Sequence, residues 1–353
     1  MRRGIGFALG AAVLFGVSAP LAKGLLGNAP PQLLAGLLYL GSGIGLGIAW
    51  LVRRRRGGGA GEARLSRRDL PWLAGAIAFG GAIAPLLLML GLMRTPASSA
   101  SLLLNLEGVL TALLAWTLFR EHVDRRIGVG MAAIIAGGVL LSWQGRVAWG
   151  GLIGPALIAA ACLAWAIDNN LTQRISASDP LQITLLKGLI AGSVNTALSL
   201  SLGARLPAAA TLAGALLLGL LAYGVSLVLY VRALRALGTA RTGAYFSLAP
   251  FVGAVVGLVV WHERVTAPLV VAAGLMALGL WLHLSERHAH QHQHEALEHE
   301  HRHVHDEHHQ HPHEPGDAAG EPHTHRHRHA PLVHVHPHFP DIHHRHGHSD
   351  AGR

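Results

Sequence analysis

Two stretches of this chain, LNLEGVLTALLAWTLFREHV at residues 104–123 and FSLAPFVGAVVGLVVWHERV at residues 246–265, follow the same plan. Each is a long apolar run that closes on a glutamate, Glu121 in the first and Glu263 in the second, 142 positions apart. Further identities at the same offset are Leu92 with Leu234, Leu106 with Leu248, Ala112 with Ala254, Val123 with Val265, Gly137 with Gly279, and Leu140 with Leu282. So many matches in one register indicate that the chain contains an internal duplication.

The composition is that of a membrane protein, because 51% of the residues are hydrophobic and only 13% are charged. Residues 1–285 hold 22 Lys and Arg against eight Asp and Glu. These basic residues lie in short loops between apolar runs rather than on one folded face, so nucleic acid is not expected as a partner. The single cysteine, Cys162, excludes an intramolecular disulfide and a cysteine-based zinc site.

Ten apolar runs are each long enough to cross about 30 Å of hydrocarbon. The predicted spans, in order, are residues 4–26, 32–52, 71–93, 97–119, 127–143, 150–171, 182–203, 209–231, 240–261 and 267–285. Together with the duplication they predict an all-α membrane protein of two five-helix repeats, residues 1–145 and 146–285, followed by a tail at 286–353. Since five is odd, the second repeat must be inverted in the membrane relative to the first.

The charge of the loops predicts the orientation of the chain. With the N-terminus in the cytoplasm, 16 arginines lie inside and only Arg94, Arg146, Arg205 and Arg264 lie outside. Both termini are therefore expected in the cytoplasm.

These features resemble the EamA-type transporters of the drug/metabolite transporter superfamily. The resemblance rests on the five-plus-five arrangement, on the small-residue-rich fourth and ninth spans, and on the glutamate of FREHV and WHERV; it covers residues 4 to about 285. The segment CLAWAIDNNLTQ at 162–173 also looks like members of this group that carry His-rich tails. The resemblance implies an inverted-repeat bundle in the bacterial inner membrane that exports or exchanges a small metabolite by alternating access.

Three ionisable residues fall inside the predicted spans: Glu107, Asp168 and Lys187. Such groups are costly in hydrocarbon and usually face a cavity or a partner. Glu107 lies near the middle of the fourth span and is the first candidate for the transport pathway, where it could bind and release a proton. The alternative is a protonated glutamate that bonds a neighbouring helix and only supports packing. Its repeat counterpart at position 249 is alanine, so the two halves differ here.

Asp168 and Lys187 lie at matching depths near the cytoplasmic ends of the sixth and seventh spans. An ion pair between them could serve as an intracellular gate or as a static clamp. Asn169 and Asn170 extend this polar patch, and Asn105 shares one face of the fourth span with two serines. All of these residues are predicted to line the pathway, although small polar stripes also serve helix packing.

The tail has few apolar residues and several prolines, so it is predicted to be disordered. Imidazoles interleaved with carboxylates suit Zn²⁺, Ni²⁺, Co²⁺ or Cu²⁺. A proton-buffering role and a tolerated low-complexity extension are alternatives to metal binding. The candidate metal ligands are His288, His290, His292, His294, His299, His301, His303, His305, His308, His309, His311, His313, His323, His325, His327 and His329.

Two functions therefore compete. The first is a metabolite transporter that needs no cofactor, with a regulatory or incidental tail. The second is a divalent-metal transporter whose tail collects or senses the ion. His122, His262 and His283 lie at span edges rather than at mid-membrane, which favours the first function. An enzyme is not expected, because the chain has no GxSxG or phosphate-cradling motif.

Overall fold

The computed structural model describes residues 2–55, 65–119, 125–142, 149–175, 178–237, 242 and 245–284, together with four short segments of the tail. Within residues 2–284, the described secondary structure is entirely helical. The α-helices are α1 (Arg2–Gly16), α2 (Ser18–Leu25), α3 (Pro31–Arg55), α4 (Leu70–Ala76), α5 (Ala84–Leu92), α6 (Ala97–Leu103), α7 (Leu106–Phe119), α8 (Arg125–Ser142), α9 (Trp149–Gln173), α10 (Pro180–Ser201), α11 (Ala209–Gly219), α12 (Ser226–Leu237), α13 (Ala249–Val260) and α14 (Ala267–Leu284).

Among the described residues, seven helical stretches are long and apolar enough to cross a membrane. They run Arg3–Leu25, Pro31–Arg55, Arg67–Leu92, Ala97–Leu114, Gly151–Thr172, Leu181–Ser201 and Ala209–Ala233. Three shorter apolar helices accompany them: Gly128–Ser142, Ala249–Val260 and Ala267–Leu282. Each lies within one of the predicted spans.

The fourth span is broken where the sequence predicts one continuous helix. A turn at residues 104–105 separates α6 from α7, and a turn at residues 247–248 precedes α13 in the ninth span. The two turns are 143 positions apart, which is close to the offset of the sequence repeat. The prediction missed them because both flanks are apolar, and hydropathy does not distinguish a broken helix from a continuous one.

A second irregularity also occurs once in each half. The third span contains a π-helical segment at Ile77–Ile83 between α4 and α5, and the eighth contains one at Leu220–Val225 between α11 and α12. Pro85 follows the first segment and has no backbone N–H to donate. In π-helical pairing the carbonyl of Gly80 would accept from residue 85, so Pro85 leaves it free for other donors.

Helices of the first half pack on helices of the second through close glycine contacts. A β-carbon at Gly137 of α8 would meet Met276 of α14 at 2.9 Å, and one at Gly279 of α14 would meet the Gly130 carbonyl of α8 at 2.5 Å. Gly137 and Gly279 are themselves repeat-related, so the contact is reciprocal. Likewise α1 packs on α12 and α13, while α9 packs on α5 and α7.

Four short strands make up the described segments of the tail. They are β1 (Ala289–His294), β2 (Glu298–His303), β3 (His323–Arg328) and β4 (Leu332–Pro337), paired antiparallel as β1 with β4 and β2 with β3. The sequence prediction of a disordered tail did not include these strands. The two-residue period of the x-His pattern fits strand geometry, and the register sets Glu298 opposite Arg328 and Glu300 opposite Arg326, which favours pairing.

Candidate functional site

Glu107 lies directly beside the break of the fourth span, in the first turn of α7. Its carboxylate accepts a hydrogen bond from Nδ2 of Asn169 on α9 at 2.9 Å, and the same amide lies 3.3 Å from Oγ1 of Thr111. No described Lys or Arg side chain forms an ion pair with Glu107. Glu107 is half-buried and Asn169 is exposed.

Asp168 and Lys187 form an ion pair between α9 and α10. The ammonium of Lys187 lies 2.7 Å and 2.6 Å from the two carboxylate oxygens of Asp168. The hydroxyl of Thr172 donates to the same carboxylate at 2.9 Å. The side chain of Asp168 is only 7% exposed, so both partners are held in a largely dry environment. The ion pair expected from their matching depths is present.

The carbonyl of Gly80, which has no backbone donor, links three spans through side-chain hydrogen bonds. It accepts hydrogen bonds from the hydroxyl of Tyr39 on α3 at 2.7 Å and from Nε1 of Trp165 on α9 at 3.1 Å. These side chains replace the donor that Pro85 lacks, which accounts for two buried polar side chains in an apolar bundle. A β-carbon at Gly80 would lie 1.8 Å from Oδ2 of Asp168, so only glycine fits between the π-helical segment and the ion pair.

Replacing Gly80 by alanine should displace Asp168 and destabilise the fold by about 1–3 kcal/mol, the usual cost of overpacking. The measurement is the midpoint of thermal unfolding of the purified full chain, followed by size-exclusion chromatography. Gly274→Ala is the matched control, since nothing lies within 4 Å of a β-carbon there. A Gly80→Ala protein as stable as the Gly274→Ala protein would contradict the packing argument.

An aromatic cluster joins four of the predicted spans. Its ring pairs, by centroid distance, are Tyr39 with Tyr223 at 5.5 Å, Tyr223 with Phe15 at 5.9 Å, Phe15 with Phe246 at 5.4 Å, and Phe246 with Tyr230 at 4.9 Å. The five rings come from the first, second, eighth and ninth predicted spans. Four of the five keep part of their surface exposed.

The opposite ends of the fourth and ninth spans are tied together by Glu263. Its carboxylate accepts from the backbone N–H of Ala97 at 2.6 Å and of Ser98 at 3.0 Å, and also from the Ser98 hydroxyl. These contacts cap the N-terminus of α6, where helix amides otherwise have no partner. Nearby, Lys23 donates to the carbonyl of Thr95. Glu121 lies outside the described residues.

The other predicted pathway residues have mainly backbone partners. Asn170 is buried and donates to the Ala166 carbonyl at 2.8 Å. Asn105 is buried at the break and donates to the Leu102 carbonyl at 2.9 Å, which closes the end of α6. The side chains of the predicted tail ligands lie outside the described part of the chain.

Sequence reasoning missed Gly80, Trp165 and the aromatic cluster. A signal for the cluster was present, because the chain has only four tyrosines and three of them lie in it. A signal for Gly80 was the proline five residues after it inside a span.

Comparisons with known proteins agree with this architecture. An uncharacterized transporter from Methanothermobacter thermautotrophicus is 29% identical over 292 residues, which cover 77% of this chain and 83% of the relative. The crystal structure of another protein superimposes on this chain with a TM-score of 0.57 and 19% sequence identity. The superposition covers 79% of this chain and 96% of the other, so the two chains share a fold. The model of the EamA-like transporter family matches residues 2–143 and again residues 152–285, so this multi-pass membrane protein belongs to the EamA-like transporter family.

Proposed function

We propose that this protein is a secondary transporter that moves a small organic metabolite by alternating access, with Glu107 as the proton-binding residue of its central site. The observation that carries the proposal is the position of Glu107 at the break of the fourth span, without an ion-pair partner among the described residues. Discontinuous helices near the bilayer midplane are where secondary transporters place substrate and coupling-ion sites.

The packing supports ten spans in two inverted repeats, with units at 1–145 and 146–285. The two family matches divide the chain near that boundary. The broken helix and the π-helical segment each occur at equivalent positions of both halves. The first span contacts the eighth through α1 and α12, and the sixth span contacts the third through α9 and α5. These two contacts are equivalent under a pseudo-two-fold axis that exchanges the two repeats.

The ends of the helices support cytoplasmic termini in a bacterial inner membrane. Arginines lie over aromatic rings at the face that the loop charges assign to the cytoplasm, and arginine with tryptophan at helix ends is typical of a membrane interface. The pairs are Arg54 with Trp50 at 5.3 Å, Arg126 with Trp281 at 5.3 Å, Arg174 with Trp72 at 5.6 Å, and Arg232 with Phe7 at 6.0 Å.

A transport cycle follows from the chemistry of the site. A carboxylate at mid-membrane is neutralised either by a proton or by a cationic group of the substrate. Exchange of one for the other, while the two halves rock about the site, couples substrate movement to the proton gradient without any covalent step. The Asp168–Lys187 pair then fixes the sixth span, which carries Asn169, against the seventh.

Metal binding by the tail is a second element of the proposal. The strand register sets His290 opposite His336 and His292 opposite His334, and in the other sheet His299 opposite His327 and His301 opposite His325. Imidazole is a common ligand of divalent transition metals. Among the described helices, no group of three or more His, Cys, Asp or Glu is suited to a metal.

One comparison tests both elements. Cells carrying the full chain, the chain ended after residue 284, or no protein are compared for organic metabolites in the medium and for cellular zinc, nickel and cobalt. We expect both forms of the protein to raise the same metabolite outside the cells, and only the full chain to raise bound metal. If the concentrations of organic metabolites in the medium were the same for all three strains, the transport proposal would be contradicted. A metal flux that persists in cells with the shortened chain would favour the metal-transporter alternative.

A further inference from the structure

An apolar groove of about 420 Å³ lies between the fourth, fifth and sixth spans. Its inner end is formed by Leu103 and Leu106, on either side of the turn that breaks the fourth span. From there it follows residues 135–142 of α8 and residues 152–159 of α9 towards the ends of these spans. At 1.5 Å per residue each stretch is about 10 Å long, most of the roughly 15 Å depth of one leaflet. The groove therefore lies within a single leaflet and ends at the break.

The lining of the groove is suited to hydrocarbon. Of the ten lining residues, all in the described part of the chain, nine have no polar atom in the side chain. The tenth, Ser142, donates its hydroxyl to the Gly138 carbonyl at 2.8 Å and so has no proton left to offer. A polar ligand or a water molecule would lose hydrogen bonds on entry, since a buried water needs roughly two to four polar partners.

The rim of the groove is continuous with the surface that faces the lipid. Ile135, Val139 and Leu152 are large apolar side chains on the rim, and all three are exposed. In a membrane span such side chains contact lipid tails, which are as apolar as leucine. Leu103 and Gly138 are buried and form the floor. A lipid tail in this multi-pass membrane protein therefore reaches the floor directly from the bilayer.

Small residues keep the groove open without serving helix packing. In membrane proteins such residues usually mark places where two helix backbones approach closely. Gly137 follows that rule, because a β-carbon there would meet Met276 at 2.9 Å. A β-carbon at Gly138 would lie 3.6 Å from Leu103 and from Leu106, an ordinary van der Waals distance. The space beside Gly138 is thus not closed by neighbouring helices, and an empty space of this size would forfeit dispersion contacts.

We propose that this groove binds one acyl chain of a membrane phospholipid, which enters between Val139 and Leu152 and ends against the turn at residues 104–105. The chain supplies the contacts that the helices leave unmade, and through Leu103 and Leu106 it supports the broken form of the fourth span. The groove lies in the leaflet that the proposed orientation makes the outer one. This inference rests on the fold and is independent of the transport proposal.

The test is photocrosslinking of the full chain in nanodiscs. The probe is a phosphatidylethanolamine with a photoactivatable diazirine near the end of one acyl chain, and crosslinked residues are identified by mass spectrometry. We expect labelling of residues 103–106 and of Ala159 to exceed that of Ala136 by about threefold or more, since a chain held in the groove gains dispersion contacts on several sides. Ala136 is the reference because it is exposed on α8 beside Ile135 and does not line the groove.

Variants that fill the groove should displace the chain. Ala156→Phe places a ring in the groove and should reduce labelling of residues 103–106 by about fivefold or more, the cost of overpacking the chain against it. Ala159→Leu fills the inner end from another position and should have the same effect. Ala136→Phe is the matched control and should leave the labelling of residues 103–106 unchanged. Size-exclusion chromatography of each variant verifies that it is folded.

Two outcomes would overturn the proposal: labelling of residues 103–106 and Ala159 no stronger than that of Ala136, or labelling that neither filling variant reduces. Both are read from crosslinks alone and do not depend on any transported substrate. A protein that exports a metabolite but fails this test is still a transporter, with a groove that holds no lipid chain.

Discussion

Glu107→Gln should reduce transport by about tenfold or more and should remove its dependence on pH, the largest functional effect that we expect from any single substitution in this chain. Glutamine has nearly the same size as glutamate and can still accept the hydrogen bond from Asn169, so the fold should be preserved. It cannot bind and release a proton, and it cannot neutralise a cation. The measurement is the initial rate of substrate movement in proteoliposomes under imposed pH gradients, with the metabolite found in the cell comparison.

Asn169→Ala is the matched control for this prediction. It removes the hydrogen-bond donor and leaves the carboxylate in place, so transport should slow but remain dependent on pH. If Glu107→Gln kept the rate and the pH profile of the unmodified protein, Glu107 would have only a packing role, and the proton-binding proposal would be abandoned.

Asp168→Asn and Lys187→Met should each destabilise the protein by about 3–5 kcal/mol, and the double variant should recover most of that loss. The reason is that each single change leaves a buried charge without its partner, whereas the double change removes both charges. The crowding of Asp168 by Gly80 and its bond from Thr172 favour a fixed clamp, so the double variant should also retain transport. The measurements are the midpoints of thermal unfolding and the transport rates of the unmodified protein, the two single variants and the double variant.

Arg53→Ala provides the reference for this cycle. Arg53 pairs with Asp179 at 2.9 Å, but its side chain is 38% exposed, so its loss should cost no more than about 1 kcal/mol. A double variant that is stable but inactive would identify the Asp168–Lys187 pair as a gate that must open during the cycle, in contradiction to the clamp.

The sequence was informative wherever function depends on composition and depth in the membrane. Hydropathy located the apolar runs, and the cost of a charge in hydrocarbon singled out Glu107, Asp168 and Lys187, which the structure places in neighbouring contacts of one region. The match of Gly137 with Gly279 anticipated their reciprocal packing, because a duplicated contact keeps the same small residue on both sides.

The features that the sequence did not reveal depend on backbone geometry and long-range contacts. The turn at 104–105 lies within a stretch that was predicted as one continuous span, and the role of the Gly80 carbonyl depends on Tyr39 and Trp165, which are 41 and 85 positions away. The aromatic cluster draws its members from four spans, so no local pattern marks it. In the tail, period-two alternation was assigned to disorder by composition alone, although it also suits strands.

The cap that Glu263 places on α6 affects how the chain is assembled during synthesis. Helix α6 has only seven residues, and the carboxylate that accepts from its first amides is encoded about 165 positions later. At ordinary rates of translation that interval lasts roughly ten to thirty seconds. During it the start of α6 lacks this partner, so this end of the fourth span reaches its capped state only after the ninth span has been inserted.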